Sequence, residues 1–155
     1  AVLELWKDPQ SQAAHATAAH TKEFRDKLQP LLRSPYDERP HTGLAVGAMQ
    51  AMPAAKAEAV AIYAVTHVDV IPTQKDVGIA LVQQLSEASR KDEGNIRFDA
   101  LQQTSRPNHM TVIEIWKDQK AVDAHGVAAR TKLFREKLTP LSGSLYDERL
   151  YKVIK

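Results

Sequence analysis

Hydrophobic positions from residue 62 onward switch between the spacing of strands and the spacing of helices. The segment from Ile62 to Val70 alternates as a half-buried strand does. A helix follows, and Gly94 is expected to cap its C-terminal end. The predicted buried face of this helix consists of Val77, Leu81, Leu85 and Ala88. The region therefore opens with a strand and an amphipathic helix.

The remainder of this region adds two strands, a helix and a strand. Strands are predicted over residues 95–103 and 110–116, with the residues SRPN forming the turn between them. A long helix is predicted from Gln119 to about Leu138, and a last strand over residues 145–154. The order β-α-β-β-α-β is typical of a ferredoxin-like α+β domain, whose antiparallel sheet carries both helices on one face.

Residues 112–149 repeat an earlier part of the chain. Residues 2–39 align with them without a gap when 110 is added to each residue number, and more than half of the positions are identical. The matched pairs include Trp6 with Trp116, His15 with His125, Phe24 with Phe134 and Tyr36 with Tyr146. Solenoid repeats have periods of roughly 20–50 residues, so this longer period indicates a duplicated domain.

The duplication predicts the domain organisation. Residues 1–43 are interpreted as the second half of a first repeat, residues 44–61 as an alanine-rich linker and residues 62–155 as a complete second repeat. The intact protein is then expected to carry roughly 50 residues before Ala1, which supply the missing strand, helix and strand. The open sheet faces of the two repeats are expected to pack together, either as a barrel within one chain or as a homodimer.

The half-repeat has element signals of its own. Residues 2–7 alternate as a strand does. Asp8 followed by Pro9 predicts a helix start, because the carboxylate accepts from free amides and proline suits the first helical position. This helix is expected to end near Leu28, and another strand is predicted over residues 36–43.

Composition narrows the functional classes. The net charge of +2 comes from interspersed charges of both signs, so the sequence shows no basic patch for nucleic acid. No apolar run reaches the ~18 residues of a membrane-spanning helix, so no membrane partner is expected. The absence of cysteine excludes disulfides, thiolate metal sites and cysteine nucleophiles. The expected compartment is the cytoplasm, with a targeting peptide before the first residue left open.

Two short motifs relate the chain to a known family. The third predicted strand ends in the pattern E-x-W-x-D at residues 114–118, and the next helix carries A-H-x-x-x-A at residues 124–129. With the order of elements, these motifs resemble the antibiotic biosynthesis monooxygenase family, whose members are dimeric α/β barrels and include quinol monooxygenases. The resemblance covers the second repeat and the surviving half of the first. Two tandem copies are similar to the members that build the barrel within one chain.

The resemblance implies a monooxygenase that uses neither cofactor nor metal and oxidises a small aromatic, quinol or polyketide-like substrate with O₂. The substrate anion would supply the electron to O₂, and the pocket would supply a base and hold the substrate in position. The superfamily also contains stress-related proteins, so a non-catalytic barrel that binds a small hydrophobic ligand is the alternative. A haem-degrading relative ranks third, because such relatives need an asparagine on the first strand and a tryptophan on the second helix, and neither is present at those places.

His125 is the candidate base. It lies at the edge of the apolar stripe of its predicted helix, beside Ala121 and Ala128, whose small side chains leave room above the sheet. An imidazole with a pKa of ~6.5 is suited to take a proton from a bound phenol or quinol. The alternative interpretation is a half-buried histidine bonded to a backbone carbonyl.

Other residues of the second repeat are candidates for substrate contact. Trp116 and Phe134 are expected to form aromatic walls for a planar substrate, although a tryptophan at such a place also serves as core packing. His67, on the first strand of the repeat, is a second catalytic candidate. His67 or Arg130 is expected to orient the substrate.

The half-repeat offers counterparts of these residues. Its candidate substrate contacts are Trp6, His15 and His20. His20 stands where the second repeat has Arg130, so the two copies differ there. The two histidines do not predict a metal pair, because a separation of five residues places them about 140° apart around a helix, whereas paired ligands lie four residues apart on one face.

Overall fold

The chain folds into two compact units. The structure is a computed structural model and describes residues 2–48 and 60–154. One unit ends at Glu38 and the other begins at Arg39. This division falls before residue 43, the predicted end of the half-repeat, because the strand that follows Arg39 pairs with the sheet of the second unit.

The second unit contains an antiparallel five-stranded sheet. Its strands are β1 (His41–Ala45), β2 (Ile62–Asp69), β3 (Asn95–Gln103), β4 (His109–Trp116) and β5 (Asp147–Tyr151). Their order in the sheet is β1-β3-β4-β2-β5, and every pair is antiparallel. The predicted α+β fold and the order of elements from β2 to β5 are confirmed.

Each of the two long helices predicted from the sequence is two helices in the structure. The first unit has α1 (Pro9–Thr17) and α2 (Ala19–Leu28), and the second has α3 (Lys75–Ser89), α4 (Gln119–Val127) and α5 (Ala129–Leu138). The breaks fall at Ala18 and Ala128, whose backbones are extended with ψ of 147° and 141°. Among the described residues, no helix is long and apolar enough to cross a membrane.

Arginine side chains stabilise both helix breaks. Arg25 Nη1 donates to the carbonyl of Ala16 at 3.2 Å, and Arg135 Nη1 donates to that of Gly126 at 3.3 Å. A carbonyl at the end of a helix has no partner within the helix, so the guanidinium replaces one. Because neither break contains proline or glycine, the helical pattern gives no local signal for it.

The strands of the half-repeat differ from the prediction. Residues 2–7 form no strand, whereas their counterpart β4 pairs with β2 and β3 on its two sides. Within the described residues no strand pairs with residues 2–7, and a strand needs a partner for its backbone groups. The strand predicted over residues 36–43 is present as β1, which begins later, at His41. Pro40, just before it, has no amide hydrogen to donate, and its carbonyl accepts from the Thr104 amide at 3.0 Å.

The structure describes only the two ends of the predicted linker, residues 44–48 and 60–61. Leu44 and Ala45 belong to β1, so the predicted linker begins inside a strand. Gly47 N donates to Asp99 Oδ1 at 2.9 Å, which ties the next residues to β3. Residues 49–59 lie outside the described part of the chain. The last strand, predicted over residues 145–154, is shorter in the structure.

The main hydrophobic core lies between the helices and one face of the sheet. Its sheet side chains are Val68, Phe98, Ala100, Met110, Val112 and Trp116, and its helix side chains include Val82, Leu85, Phe134 and Leu138. The predicted buried face of α3 is confirmed at Leu85 but not at Val77, which is 49% exposed, and Val82 is buried beside the partly buried Leu81. Next to Val77, Gly78 lies close to Val70, where an added Cβ would lie 2.9 Å from a Val70 methyl carbon.

Gly94 closes a turn rather than capping a helix. Helix α3 ends at Ser89, and Gly94 lies just before β3 with φ of +82°. We expect Gly94→Ala to lower the free energy of unfolding by about 1–3 kcal/mol, because this backbone region is costly for a side chain and the new Cβ would lie 2.8 Å from that of Ala121.

The matched control is Gly126→Ala in α4. A Cβ there meets no atom within 4 Å, so the change is expected to be neutral or to stabilise the helix by up to about 1 kcal/mol. Urea unfolding of both variants measures the difference. Equal stability of the two variants would contradict the strain at Gly94.

Candidate functional site

Trp116 and His125 form an aromatic pair in the core of the second unit. Trp116 is the last residue of β4, and His125 lies on α4. Their ring centroids are 4.8 Å apart, and Phe98 contacts both rings at 6.2 and 5.4 Å. Trp116 has 0% and His125 has 7% of its surface exposed. The two predicted residues therefore lie together, and the Phe98 side chain packs against both.

Both ring nitrogens of His125 have partners. Nδ1 lies 3.1 Å from Asp92 Oδ2, and Nε2 lies 3.5 Å from Thr131 Oγ1. Burial lowers the pKa of His125 to about 4, although the Glu148 carboxylate acts in the opposite direction. The imidazole is thus neutral near pH 7. Because an ionised Asp92 only accepts, we assign the proton to Nδ1 and the lone pair to Nε2.

Arg130 reaches this pair through Asp92. Its guanidinium forms an ion pair with Asp92 Oδ1, while Asp92 Oδ2 accepts from His125. The carboxylate therefore holds both side chains, as the orienting carboxylate does in a catalytic triad. Arg130 was predicted to orient the substrate, and that role stays a prediction; in the structure its guanidinium contacts Asp92, the partner of His125.

Glu114 is a buried acid that the sequence analysis did not select. It is 5% exposed, and Trp116 Nε1 donates to its Oε2 at 2.8 Å. Burial raises the pKa of Glu114 to about 7. The effect of burial is larger than that of the Trp116 hydrogen bond, which lowers the pKa. The available signal was a glutamate at an inward position of the predicted strand, between Val112 and Trp116.

Phe134 and Arg130 also border a surface groove between α3 and α5. The groove has a volume of about 230 Å³, and Leu85 and Ala88 lie on its α3 side. Neither Trp116 nor His125 lines it. The structure thus divides the predicted site residues of this face between a packed aromatic pair and an apolar groove with a basic rim.

His67 lies on the other face of the sheet, away from His125. Its Nδ1 is 3.1 Å from Thr111 Oγ1 and 3.4 Å from His109 Nε2. His41 Nε2 lies 2.8 Å from the same threonine oxygen. Burial lowers the pKa of His67, and burial likewise lowers the pKa of His41 and the pKa of His109. The structure therefore does not bring the two predicted catalytic histidines together.

This three-histidine cluster is also new relative to the sequence analysis, which selected only His67. Its members come from β1, β2 and β4, so their proximity depends on strand pairing and has no sequence spacing of its own. Within residues 2–48 and 60–154, no group of three or more His, Cys, Asp or Glu side chains has the geometry to hold a metal ion.

The first unit reproduces the aromatic pair. The rings of Trp6 and His15 are 4.8 Å apart, and Trp6 Nε1 donates to Glu4 Oε2 at 3.2 Å. Thr21 Oγ1 lies 3.3 Å from His15 Nε2, and the His20 ring is 5.2 Å from that of His15. The Trp6, Glu4, His15 and Thr21 contacts match those of the second unit at an offset of 110 residues, whereas Arg130, at the place of His20, contacts Asp92. They are partly exposed, unlike their buried counterparts.

The sequence comparisons point to one family. Residues 61–137, all within the second unit, match the family described as "Antibiotic biosynthesis monooxygenase". The Bacillus subtilis protein named "Putative monooxygenase YcnE" is 28% identical over 68 residues, which cover 44% of this chain and 72% of that protein. A Synechocystis protein named as uncharacterized is 28% identical over 87 residues, which cover 56% of this chain and 59% of its own.

Solved structures show the same fold. A conserved protein from Methanosarcina mazei matches with a TM-score of 0.59 at 25% identity, over 63% of this chain and 96% of its own. A protein from Fusobacterium nucleatum titled "Putative monooxygenase" matches with a TM-score of 0.80 at 13% identity, over 97% of this chain and 67% of its own. At 13% identity, the match to the Fusobacterium nucleatum protein shows the fold alone.

Proposed function

Because residues 61–137 belong to the antibiotic biosynthesis monooxygenase family, we propose that this chain is a monooxygenase that works without a cofactor. Its substrate class is a small aromatic, quinol or polyketide-like molecule with an acidic proton, and its second substrate is O₂. The site is the helix-covered face of the sheet around Trp116 and His125.

The observation that carries the proposal is the fixed orientation of His125. Asp92 holds Nδ1, so the lone pair of Nε2 is available to a substrate hydroxyl that replaces Thr131. The Trp116 ring is 0% exposed beside His125, so an aromatic substrate that reaches Nε2 would displace packed side chains and lie against the indole. Burial keeps the imidazole neutral near pH 7, the form that accepts a proton, and the same lowered pKa makes it a weaker base.

The chemistry balances with O₂ as the sole oxidant. A base removes the hydroxyl proton of a phenol, and the anion transfers an electron to O₂. Recombination forms a carbon–oxygen bond, and protonation of the outer oxygen gives a hydroperoxide. Loss of the proton on the same carbon then breaks the oxygen–oxygen bond, so that one oxygen stays as a quinone carbonyl and the other leaves as water.

Oxygen uptake tests this function directly. The chain is expected to consume O₂ with at least one member of a panel of quinols, naphthols and polyketide-like phenols, at a rate above that of the substrate alone. Mass spectrometry of product formed under ¹⁸O₂ is expected to show one labelled oxygen atom. Substrate-only rates with every member of the panel would overturn the proposal.

The packing around the aromatic pair favours a second candidate function. Phe98 contacts both rings, and the groove at Phe134 lies apart from them. A barrel of this fold that only binds a small hydrophobic ligand needs no access to His125. Such a protein would be stabilised against heat by members of the same panel while it consumed no O₂, so one panel separates the two candidates.

A further inference from the structure

The proposed reaction removes two protons from the substrate, and His125 accounts for one of them. The first proton leaves the hydroxyl group, and the second leaves the carbon atom that has bound oxygen. A site whose Trp116 and His125 side chains are buried offers little water to take either proton. The two protons leave different atoms of the substrate, so a second acceptor beside Trp116 would take the carbon-bound proton while His125 passes the hydroxyl proton to the outer peroxide oxygen.

Glu114 has the position that this role requires. It lies on the same face of β4 as Trp116, and its Oε2 accepts from the Trp116 indole. A carboxylate has about four lone-pair positions, so one indole bond leaves capacity for a substrate donor. Arg135, the cation whose charge acts on Glu114, forms its own ion pair with Glu148 at 3.3 Å. Glu114 thus keeps its accepting capacity in a buried place.

We propose that Glu114 is the second proton-accepting residue of this site and that it contacts the bound phenol beside Trp116. The inference rests on the proposed function and extends it by one residue and one proton. It also assigns the E-x-W pattern a chemical meaning, since the indole that borders the substrate holds the carboxylate in place.

Protonation of Glu114 is expected to abolish its role as a proton acceptor, so the proposal predicts how activity changes with pH. Its pKa of about 7 means that the carboxylate accepts protons above neutral pH and is already protonated below it. The charged groups that act on Glu114 are Glu148, which raises its pKa, and Arg135, which lowers it. The Glu114 charge in turn raises the pKa of Tyr146, and the Trp116 indole that donates to Glu114 packs on the His125 ring. His125, with a pKa of about 4, loses its accepting form only in much stronger acid. Glu114 and His125 therefore stop accepting protons at different pH values, Glu114 near pH 7 and His125 near pH 4.

A pH profile of kcat on the most active quinol or naphthol tests the role. In the wild type, kcat is expected to fall as pH drops through about 7. Glu114→Gln is expected to lower kcat at pH 8 by about 10²-fold and to abolish this limb. Glu148→Gln is expected to move the limb to lower pH, because the Glu148 carboxylate raises the pKa of Glu114. Glu136→Gln, an exposed change of the same charge, is expected to leave the profile unchanged.

A spectroscopic measurement reports on the same carboxyl without turnover. In a Trp6→Phe background, Trp116 is the single tryptophan. Its fluorescence is expected to change near pH 7, as Glu114 ionises, and the change is expected to vanish when Glu114→Gln is added. A signal from His125, whose ring is 4.8 Å away, belongs near pH 4.

Each outcome decides the proposal. Loss of the pH limb in Glu114→Gln together with its displacement in Glu148→Gln supports it. Turnover with a limb near pH 4 alone, or a limb that both substitutions leave in place, overturns the role of Glu114 while the proposed function stands. Absence of turnover with the whole panel overturns the proposed function and this role with it, even where the fluorescence change shows that Glu114 titrates near pH 7.

Discussion

His125→Gln is expected to lower kcat/KM for a quinol or naphthol substrate by about 10²–10⁴-fold, the usual contribution of a positioned general base. Glutamine keeps a similar size and polarity but accepts no proton at neutral pH. Activity of the wild type is expected to be insensitive to His125 protonation down to about pH 4, since burial lowers its pKa that far. Steady-state oxygen uptake at fixed pH measures the loss.

The half-repeat supplies the matched control for this substitution. His15→Gln changes the equivalent residue in the first unit, where the Trp6 and Thr21 contacts are kept. The carboxylate beside this imidazole is that of Glu4, 3.6 Å from Nε2, whereas Asp92 lies beside Nδ1 in the second unit. We expect His15→Gln to lower activity far less. Unchanged kcat/KM in His125→Gln, with His15→Gln also unchanged, would make both histidines structural residues.

The pH dependence of stability tests whether His125 is buried and neutral in the folded protein. Because burial lowers the pKa of His125 from 6.5 to about 4, the unfolded chain binds a proton in this pH range that the folded chain does not. Stability from this residue is therefore present above pH 6.5 and is lost on acidification. Between pH 8 and pH 5 the wild type is expected to lose about 2 kcal/mol relative to His125→Gln.

Periodicity and repetition predicted the elements of the second unit because they report local preferences. The order of strands and helices follows from hydrophobic spacing, and the Trp116 and His125 pair follows from a strand and the helix after it. The breaks at Ala18 and Ala128 do not, because their cause is a guanidinium from the next helix that satisfies freed carbonyls. A local pattern carries no information on such a contact.

The missed residues depend on three-dimensional neighbours in the same way. The cluster of His41, His67 and His109 exists because β1, β2 and β4 belong to one sheet, and β1 was assigned to the half-repeat. Glu114 stood in the quoted motif, but its accepting role depends on burial by elements distant in sequence. Residues 2–7 show the converse: a strand pattern without partner strands forms no strand.

Trp116→Ala is expected to lower the free energy of unfolding by about 3–5 kcal/mol, the usual range for removal of a large buried aromatic side chain. Trp116 is fully buried, and its ring packs on both Phe98 and His125. Trp6→Ala removes the equivalent ring in the first unit, where it is only partly buried, and is expected to cost less. Denaturant unfolding monitored by circular dichroism measures both variants.

The loss in free energy of unfolding caused by Trp116→Ala is expected to be larger at high pH than at low pH. The indole bond lowers the pKa of Glu114, so it stabilises the charged carboxylate more than the neutral acid. Its removal therefore costs more at pH 8, where Glu114 is ionised, than at pH 5, where Glu114 is protonated. Trp116→Phe keeps most of the buried ring but not the N–H donor, so it should retain this pH dependence with a smaller loss. A Trp116→Ala penalty equal at both pH values would show that the indole does not hold the charged form of Glu114.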